Sequence, residues 1–285
     1  VSEYQYYEFM AVDRPLNADQ QTELRELSTR AVITSTSFVN EYHWGSFRGA
    51  PDRMMDRYFD AHLYLANWGS RRVMLRLPKK LLRADTVERY LLDEHVEARS
   101  VGKHLVIDLR SEDEECDWNH DAESWLPAIV GVRGELAAGD LRPLYLAWLA
   151  GYGSWERDEW AFDRDHDDEP EPPVPAGLGT LTGPQRALAD FLRLDEDLLH
   201  VAATASAPLP PVADDPGALG RWIASLAVEE KDRLLARVVG DEAAQVRMEL
   251  WQRFRGGVVD QPSTASTRTV ADLLDGVARY RAERE

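Results

Sequence analysis

One cysteine, Cys116, stands among 285 residues, so an internal disulfide framework is excluded and a reducing compartment is the simplest setting. No apolar run approaches the roughly 18 residues that a membrane span requires, and the first residues lack a basic-then-apolar leader. Positive charge is scarce: 33 Lys and Arg face 51 Asp and Glu, a formal charge of −18. A field of that sign repels phosphate backbones, so bulk nucleic-acid binding is not expected. Catalytic signatures are also missing. Seven histidines occur without a Gly-x-Ser-x-Gly elbow, a His-Glu-x-x-His pair or a Walker-type glycine loop. These absences predict a cytoplasmic protein with no cofactor and no membrane contact.

What is present is 44% hydrophobic residues, enough for a globular core, in a length that predicts about two domains. The strongest local signal is 62–78, HLYLANWGSRRVMLRLP. Two strand-favouring runs flank Gly69-Ser70, a two-residue loop of the kind that closes tight hairpins. That loop pairs Trp68 with Arg71, Ala66 with Val73 and Tyr64 with Leu75. One face then carries His62, Tyr64, Ala66, Trp68, Val73, Leu75 and Leu77; the other carries Leu63, Leu65, Asn67, Arg72, Met74 and Arg76. Two largely apolar faces predict a central hairpin covered on both sides.

Around this hairpin, 4–13 and 31–40 read as strands. Between them lies a helix capped by Asn17, with Gln20 as its capping-box partner. Residues 42–47 form an aromatic loop, and Asp52 is expected to cap a short helix bearing Met54, Met55, Tyr58 and Phe59. A further short helix, 85–92, precedes a second hairpin, 96–101 against 104–109, whose Gly102 suits the first position of a type II′ turn. Two helices follow. Trp125, Ile129, Val132 and Leu136 line the first. The second, capped by Asp140, repeats Leu141, Leu144, Tyr145, Trp148, Leu149 and Tyr152 at helical spacing, the clearest amphipathic stripe in the chain. The acidic, proline-rich stretch 156–178 reads as a semi-rigid linker. Beyond it the pattern is helical, with starts at Thr182 (partner Gln185), Asp195 and 269–272. The expected organisation is an α+β domain over 1–155, an antiparallel sheet with flanking helices, then the linker 156–178. A smaller all-α domain over 179–256 and a linker with a terminal charged helix over 257–285 complete it. That last helix is still running at Glu285, so the natural chain is expected to continue.

The segments YQYYEFMAVDRPL, ITSTSFVNEYHWGSF and YFDAHLYLANWGSRR, with GDLRPLYLAWL, EPEPPVPAGLG and ADFLRLDEDLLHVAA, together resemble an uncharacterised family of bacterial hypothetical proteins. The resemblance covers most of 4–205. It implies a bacterial cytoplasmic protein whose relatives carry a further charged helical tail, and it transfers no catalytic residue. Where this chain has Cys116 the family pattern has glycine, which argues against cysteine chemistry.

Charge is blocked along the chain. Residues 71–83 hold six basic side chains (Arg71, Arg72, Arg76, Lys79, Lys80 and Arg83) and no acid, whereas 111–123 hold seven acids and no Lys or Arg. Either the acidic 111–123 loop, the stretch after Glu156 or an external anion should answer the basic block. Cys116 and His120 have C-x3-H spacing, but a structural zinc site needs four ligands and no second pair is spaced to complete it. Asp163, Asp165 and Asp167 imitate the start of a calcium loop yet lack its glycine and its closing glutamate. No metal is expected. His62 reads as a core or edge residue, and Glu8, Asp13 and Asp60 are carboxylates that strand alignment could bring together. The remaining signal is Trp and Tyr beside Arg, residue types enriched at interfaces and equally at home on packed sheets. Trp68, Arg71, Arg72, Arg76, Trp44 and Tyr7 are therefore the candidate binding residues. A non-enzymatic interaction or adaptor protein with an unknown protein partner is the favoured reading. Its rivals are a small-molecule or phosphate-processing enzyme with an Arg-lined pocket, and an acidic mimic of nucleic acid.

Overall fold

The structure, a computed structural model, describes residues 3–45, 47–113, 122–153, 169–209, 217–239, 246, 250, 253–254 and 268–284. The aromatic run near the start is β1 (Gln5–Met10), which lies inside a seven-stranded sheet. The other strands are β2 (Val32–Ile33), β3 (Ser37–Tyr42), β4 (Ala61–Ala66), β5 (Arg71–Pro78), β6 (Val96–Val101) and β7 (His104–Ser111). Their order is β2-β3-β1-β4-β5-β7-β6, and every neighbouring pair is antiparallel. The α+β class expected from the sequence is the class observed.

Both faces of the sheet are covered. On one, Leu24 of α1 (Ala18–Leu27) and Met54, Met55 and Phe59, in and after α2 (Pro51–Arg57), pack with Phe9, Phe38, Met74 and Val106. On the other, Leu63, Val73, Leu75, Ile107 and Leu109 meet a helical layer. That layer comprises α4 (Trp125–Ile129), α5 (Gly131–Ala137) and α6 (Arg142–Ala150), with α3 (Ala84–Glu88) contributing Val87. Each fully buried Leu or Val there contributes roughly 1.5–3 kcal/mol relative to exposure. Among the described residues, no helix is long and apolar enough to cross a membrane.

The central hairpin forms in a register three residues from the expected one. Leu65 pairs with Arg71, Tyr64 with Arg72, Leu63 with Val73 and Ala61 with Leu75. The loop is longer than Gly69-Ser70: Ala66 N donates to Ser70 O (2.9 Å) and Gly69 N to Ala66 O (3.1 Å), enclosing Asn67, Trp68 and Gly69. Gly69 takes φ 103°, the left-handed position that closes a three-residue hairpin loop. Asn67 anchors the loop by exchanging bonds with Tyr4, whose N–H donates to Asn67 Oδ1 (2.9 Å) while Asn67 N donates to Tyr4 O (3.1 Å). A slip of three is odd, so it exchanges the faces of one strand relative to the other. Arg72 and Arg76 therefore share their face with His62 and Tyr64, not with Leu63 and Leu65. The second hairpin forms as expected, with Val101 opposite His104 and Gly102 at φ 55°.

Several helices and strands differ in detail. The expected strand 31–40 is two strands, because the Thr34 hydroxyl accepts from the N–H groups of Thr36 (3.1 Å) and Ser37 (3.0 Å) and turns the chain. Asn17 and Gln20 form the capping box of α1 as expected. Asp52 does not cap α2, which starts with Pro51 at its first position. The helix expected through Trp125 and Leu136 is two, separated at Val130, and Gly131, which opens the second, packs where a Cβ would meet Pro184 at 2.7 Å. α6 is buried along its whole length from Arg142 to Leu149 rather than on one stripe, since it lies between the sheet and further helices.

Those further helices are α7 (Gly183–Phe191) and α8 (Glu196–Ala203), capped by Thr182 and Asp195 as expected. α9 (Ala218–Ser225), α10 (Val228–Arg237) and α11 (Val270–Arg284) follow. Leu188, Phe191, Leu198, Leu273 and Val277 belong to the same buried cluster as Leu63 and Leu75. Of the stretch read as a linker, 156–168 lie outside the described residues, whereas 169–178 are built into the packing. Glu171 N donates to Arg268 O (3.0 Å), Val270 N to Glu169 O (2.9 Å) and Gly177 N to Ala207 O (2.8 Å). The helices α4, α5 and α6 before that stretch thus share one core with α7, α8 and α11 after it.

Candidate functional site

Strand order gathers three aromatic segments at one end of the sheet. β1 lies between β3 and β4, and Gln5 faces Tyr42 on one side and Ala66 on the other. The chain leaving β3 carries His43 and Trp44; Gly45 there, at φ 81°, accepts from Gln5 Nε2 (3.0 Å). The His43 ring lies 5.3 Å from that of Tyr4. On the far side of Tyr4 is the β4–β5 loop with Trp68, whose Nε1 donates to Ser70 Oγ (3.0 Å). Trp44 and Trp68 thus follow the ends of β3 and β4, the two strands that flank β1. Their exposures are 71% and 43%.

Tyr7 lies one row below and is a core residue. Its ring packs on Tyr64 (4.8 Å between centroids), Phe47 (5.0 Å) and Tyr42 (6.0 Å), and its hydroxyl donates to Gln5 Oε1 (2.8 Å). It supports the exposed end without being part of its surface.

The three candidate arginines do not converge. Arg71 is directed to the end of α7, donating to the carbonyls of Asp190 (3.3 Å) and Phe191 (2.9 Å) and lying over the rings of Trp125 and Phe191. Arg72, on the opposite face, holds Asp108 with Nε (2.9 Å) and Nη2 (2.7 Å) and reaches Asp52 (3.1 Å). Arg76 grips Asp60 through Nε (3.2 Å) and Nη2 (2.8 Å) and the Asp56 carbonyl through Nη1 (3.0 Å). Arg83 pairs with Asp85. Of the basic block, Arg72, Arg76 and Arg83 are therefore answered by Asp52, Asp60, Asp85 and Asp108, and 114–121 and 156–168, in the segments expected to answer it, lie outside the described residues.

No family model, curated protein or solved structure matches this chain.

The carboxylates singled out in the sequence separate into two environments. Asp13 and Asp60 meet at Arg133, a residue without any local signal and 120 positions from Asp13. Arg133 holds Asp13 through Nη1 (2.8 Å) and Nη2 (2.6 Å), donates to Arg76 O through Nε (2.7 Å) and passes 3.9 Å from Asp60. Burial alone would raise the Asp60 pKa, but Arg133, Arg76 and the Asp13 N–H outweigh it and hold the carboxyl below its usual value. His62 is fully buried, its ring stacked on Phe9 (3.9 Å) and its Nδ1 bonded to Glu8 O (2.9 Å). Burial pushes its pKa down to about 3, so it is a neutral core residue, as expected. Cys116, His120, Asp163, Asp165 and Asp167 lie outside the described residues. Among those described, no cluster of three or more His, Cys, Asp or Glu is placed to hold a metal.

Glu8 stands apart, buried on β1 with the Tyr6 hydroxyl (3.0 Å) as its donor. Burial raises its pKa from 4.5 to about 7, the Tyr6 bond opposes this, and Glu123 adds repulsion. A raised folded-state value means a contribution to stability that is complete below about pH 4.5 and lost as pH rises through about 7. Glu8→Gln should accordingly stabilise the protein by about 2 kcal/mol at pH 8 and leave it unchanged at pH 4. Urea unfolding at the two pH values checks this; an equal effect at both would show that ionisation of Glu8 is not the cause.

Proposed function

We propose that this protein is a non-enzymatic interaction or adaptor protein that engages a protein partner through the aromatic end of its sheet. Its setting on this reading is a complex in the bacterial cytoplasm, the bacterial and cytoplasmic parts being what the resemblance implies. One observation carries the reading: Trp44 and Trp68 remain in solvent at the same sheet end while the tyrosines beneath them are packed. Large aromatic side chains desolvate favourably against a partner and lose little rotamer entropy, which makes them typical anchors of an interface. The divergent arginines give less support to a small-molecule or phosphate-processing enzyme, since each guanidinium is already held by a carboxylate or a carbonyl. An acidic mimic of nucleic acid is weaker still, because Asp13, Asp60 and Asp108 are neutralised in place by arginine.

The reading is tested by placing a photo-crosslinking amino acid at 44, at 68 and, as a comparison, at the exposed edge position Val32. Positions 44 and 68 should capture the same partner in cells and position 32 should not. Capture that is equal at all three positions, or absent from 44 and 68, would remove the aromatic end as the docking surface. Trp44→Ala with Trp68→Ala should abolish association and change stability by no more than about 1 kcal/mol in total, as expected for two exposed positions.

A further inference from the structure

Resting on the interaction reading, we propose that the segment docking on the aromatic end is rich in arginine or lysine. The two indoles would supply ring faces for its cations, and Glu41 and Glu112 would supply counter-charges. Several carboxylates elsewhere in this protein are held by arginine, among them Asp60 by Arg76, Asp13 by Arg133, Asp140 by Arg142 and Glu171 by Arg268. Those beside the exposed indoles are not. Glu41, next to last in β3, lies opposite Tyr6. Glu112 follows β7 and accepts from Ser70 Oγ (2.5 Å), beside Trp68. Burial raises the Tyr4 phenol pKa, and repulsion from Glu41 and, after it, Glu123 adds to the shift. All three carboxylates are exposed, and none forms an ion pair among the described residues.

Arg193 donates to Gly69 O (2.8 Å) and Ser111 Oγ (3.2 Å), bracing the Trp68 loop, and Arg71 donates to Phe191 O (2.9 Å) at the end of α7. Exposed indoles flanked by carboxylates without cation partners, on a chain of charge −18, complement a positively charged segment. Trp has the most favourable ring face for a cation, and Arg can stack on it while pairing with a carboxylate. An acidic or neutral segment would meet repulsion or no counter-charge at the same place.

The probe is a capped octapeptide of alternating Gly and Arg, titrated into the full chain by calorimetry at low and physiological salt. Wild type should bind it. Trp44→Leu with Trp68→Leu, which keeps apolar bulk without ring faces, should weaken binding at least tenfold, whereas Trp44→Phe with Trp68→Phe should keep most of it. Glu41→Gln with Glu112→Gln should also weaken it tenfold. Asp19→Asn with Glu26→Gln removes the same charge from exposed positions on α1 and should change affinity less than twofold. An unaltered affinity in the leucine pair, an α1 pair as damaging as the Glu41/Glu112 pair, or no binding by wild type would each overturn the proposal. If crosslinks from positions 44 and 68 persist while the peptide does not bind, the partner chemistry is wrong and the docking surface stands. Loss of both removes the surface as well.

Discussion

Replacing Arg76 by alanine should lower the stability of this protein by about 3–5 kcal/mol, the cost of removing one member of a buried ion pair. The Asp60 side chain is 3% exposed, and Arg76 supplies two of its hydrogen bonds and the closest of its positive charges. The N–H groups of Val12 and Asp13, both at 2.8 Å, would remain, as would Arg133 at 3.9 Å, already committed to Asp13. A buried carboxylate without its main counter-ion is the expensive outcome. Asp60→Asn together with Arg76→Met, which removes both charges, should therefore cost less than Arg76→Ala alone. The pH dependence has the opposite sign to that of Glu8. Asp60 has a folded-state pKa below its ordinary value, so its stabilisation is present at neutral pH and lost as pH falls through that lowered value. Lys79→Ala with Lys80→Ala should change stability by no more than about 0.5 kcal/mol, as at ordinary surface positions. Urea unfolding of these variants decides the matter. From the sequence, Arg72→Ala with Arg76→Ala would weaken partner capture and leave folding largely intact; the pairs with Asp108 and Asp60 predict substantial unfolding instead. An Arg76→Ala variant as stable as wild type would show that this network is not structural.

Arg268→Ala should be comparably damaging, again by about 3–5 kcal/mol, and for a reason no local pattern announces. Glu171 has a fully buried side chain. Its carboxylate accepts from Arg268 Nε (2.9 Å) and Nη2 (2.7 Å) and from the Tyr145 hydroxyl of α6. The same guanidinium donates to the carbonyls of Val201 (3.2 Å) and Ala202 (3.3 Å) at the end of α8. One side chain thus joins 169–172, α6, α8 and the segment entering α11. Without it, Glu171 loses that guanidinium and keeps the Tyr145 phenol, and two carbonyls lose a donor. Adding Glu171→Gln to Arg268→Ala should restore at least about 1 kcal/mol, because the buried charge that lost this guanidinium is then gone. Thermal or urea unfolding of the single and double variants measures this. A double variant no more stable than Arg268→Ala would locate the loss in the carbonyl contacts rather than in the buried charge.

Local rules carried much of the architecture. Runs of strand-favouring residues and the glycine turns between them placed β1, β4, β5, β6 and β7, and the side chains of Asn17, Thr182 and Asp195 set helix starts within a few residues of themselves. Such features depend on a residue and its near neighbours, so they can be read without tertiary information. The Gly102 turn is of the same kind. The first hairpin was misread because Gly69 fits two loops. Asn67, tied to Tyr4 across 63 residues, selects the longer one and so determines which face Arg72 occupies.

The candidate site was legible as residue types and not as an arrangement. Tyr7, Trp44 and Trp68 all belong to the end of the sheet around β1, but only strand order shows that Tyr7 is packed and the two indoles are not. Arg71, Arg72 and Arg76 form one block in sequence and three separate anchors in space. Alternation sends Arg71 to one face and its neighbours to the other, and their partners Asp60, Asp108 and the end of α7 arrive from elsewhere in the chain. The sequence by itself determined the class of fold, the strands, the capped helices and the large excess of acid. Tertiary structure alone decided the hairpin register, the burial of α6 on every side, the packing of 169–178 and the pairing of each charge. Those properties depend on contacts between residues tens to more than a hundred positions apart, where no short-range periodicity or spacing can specify a partner.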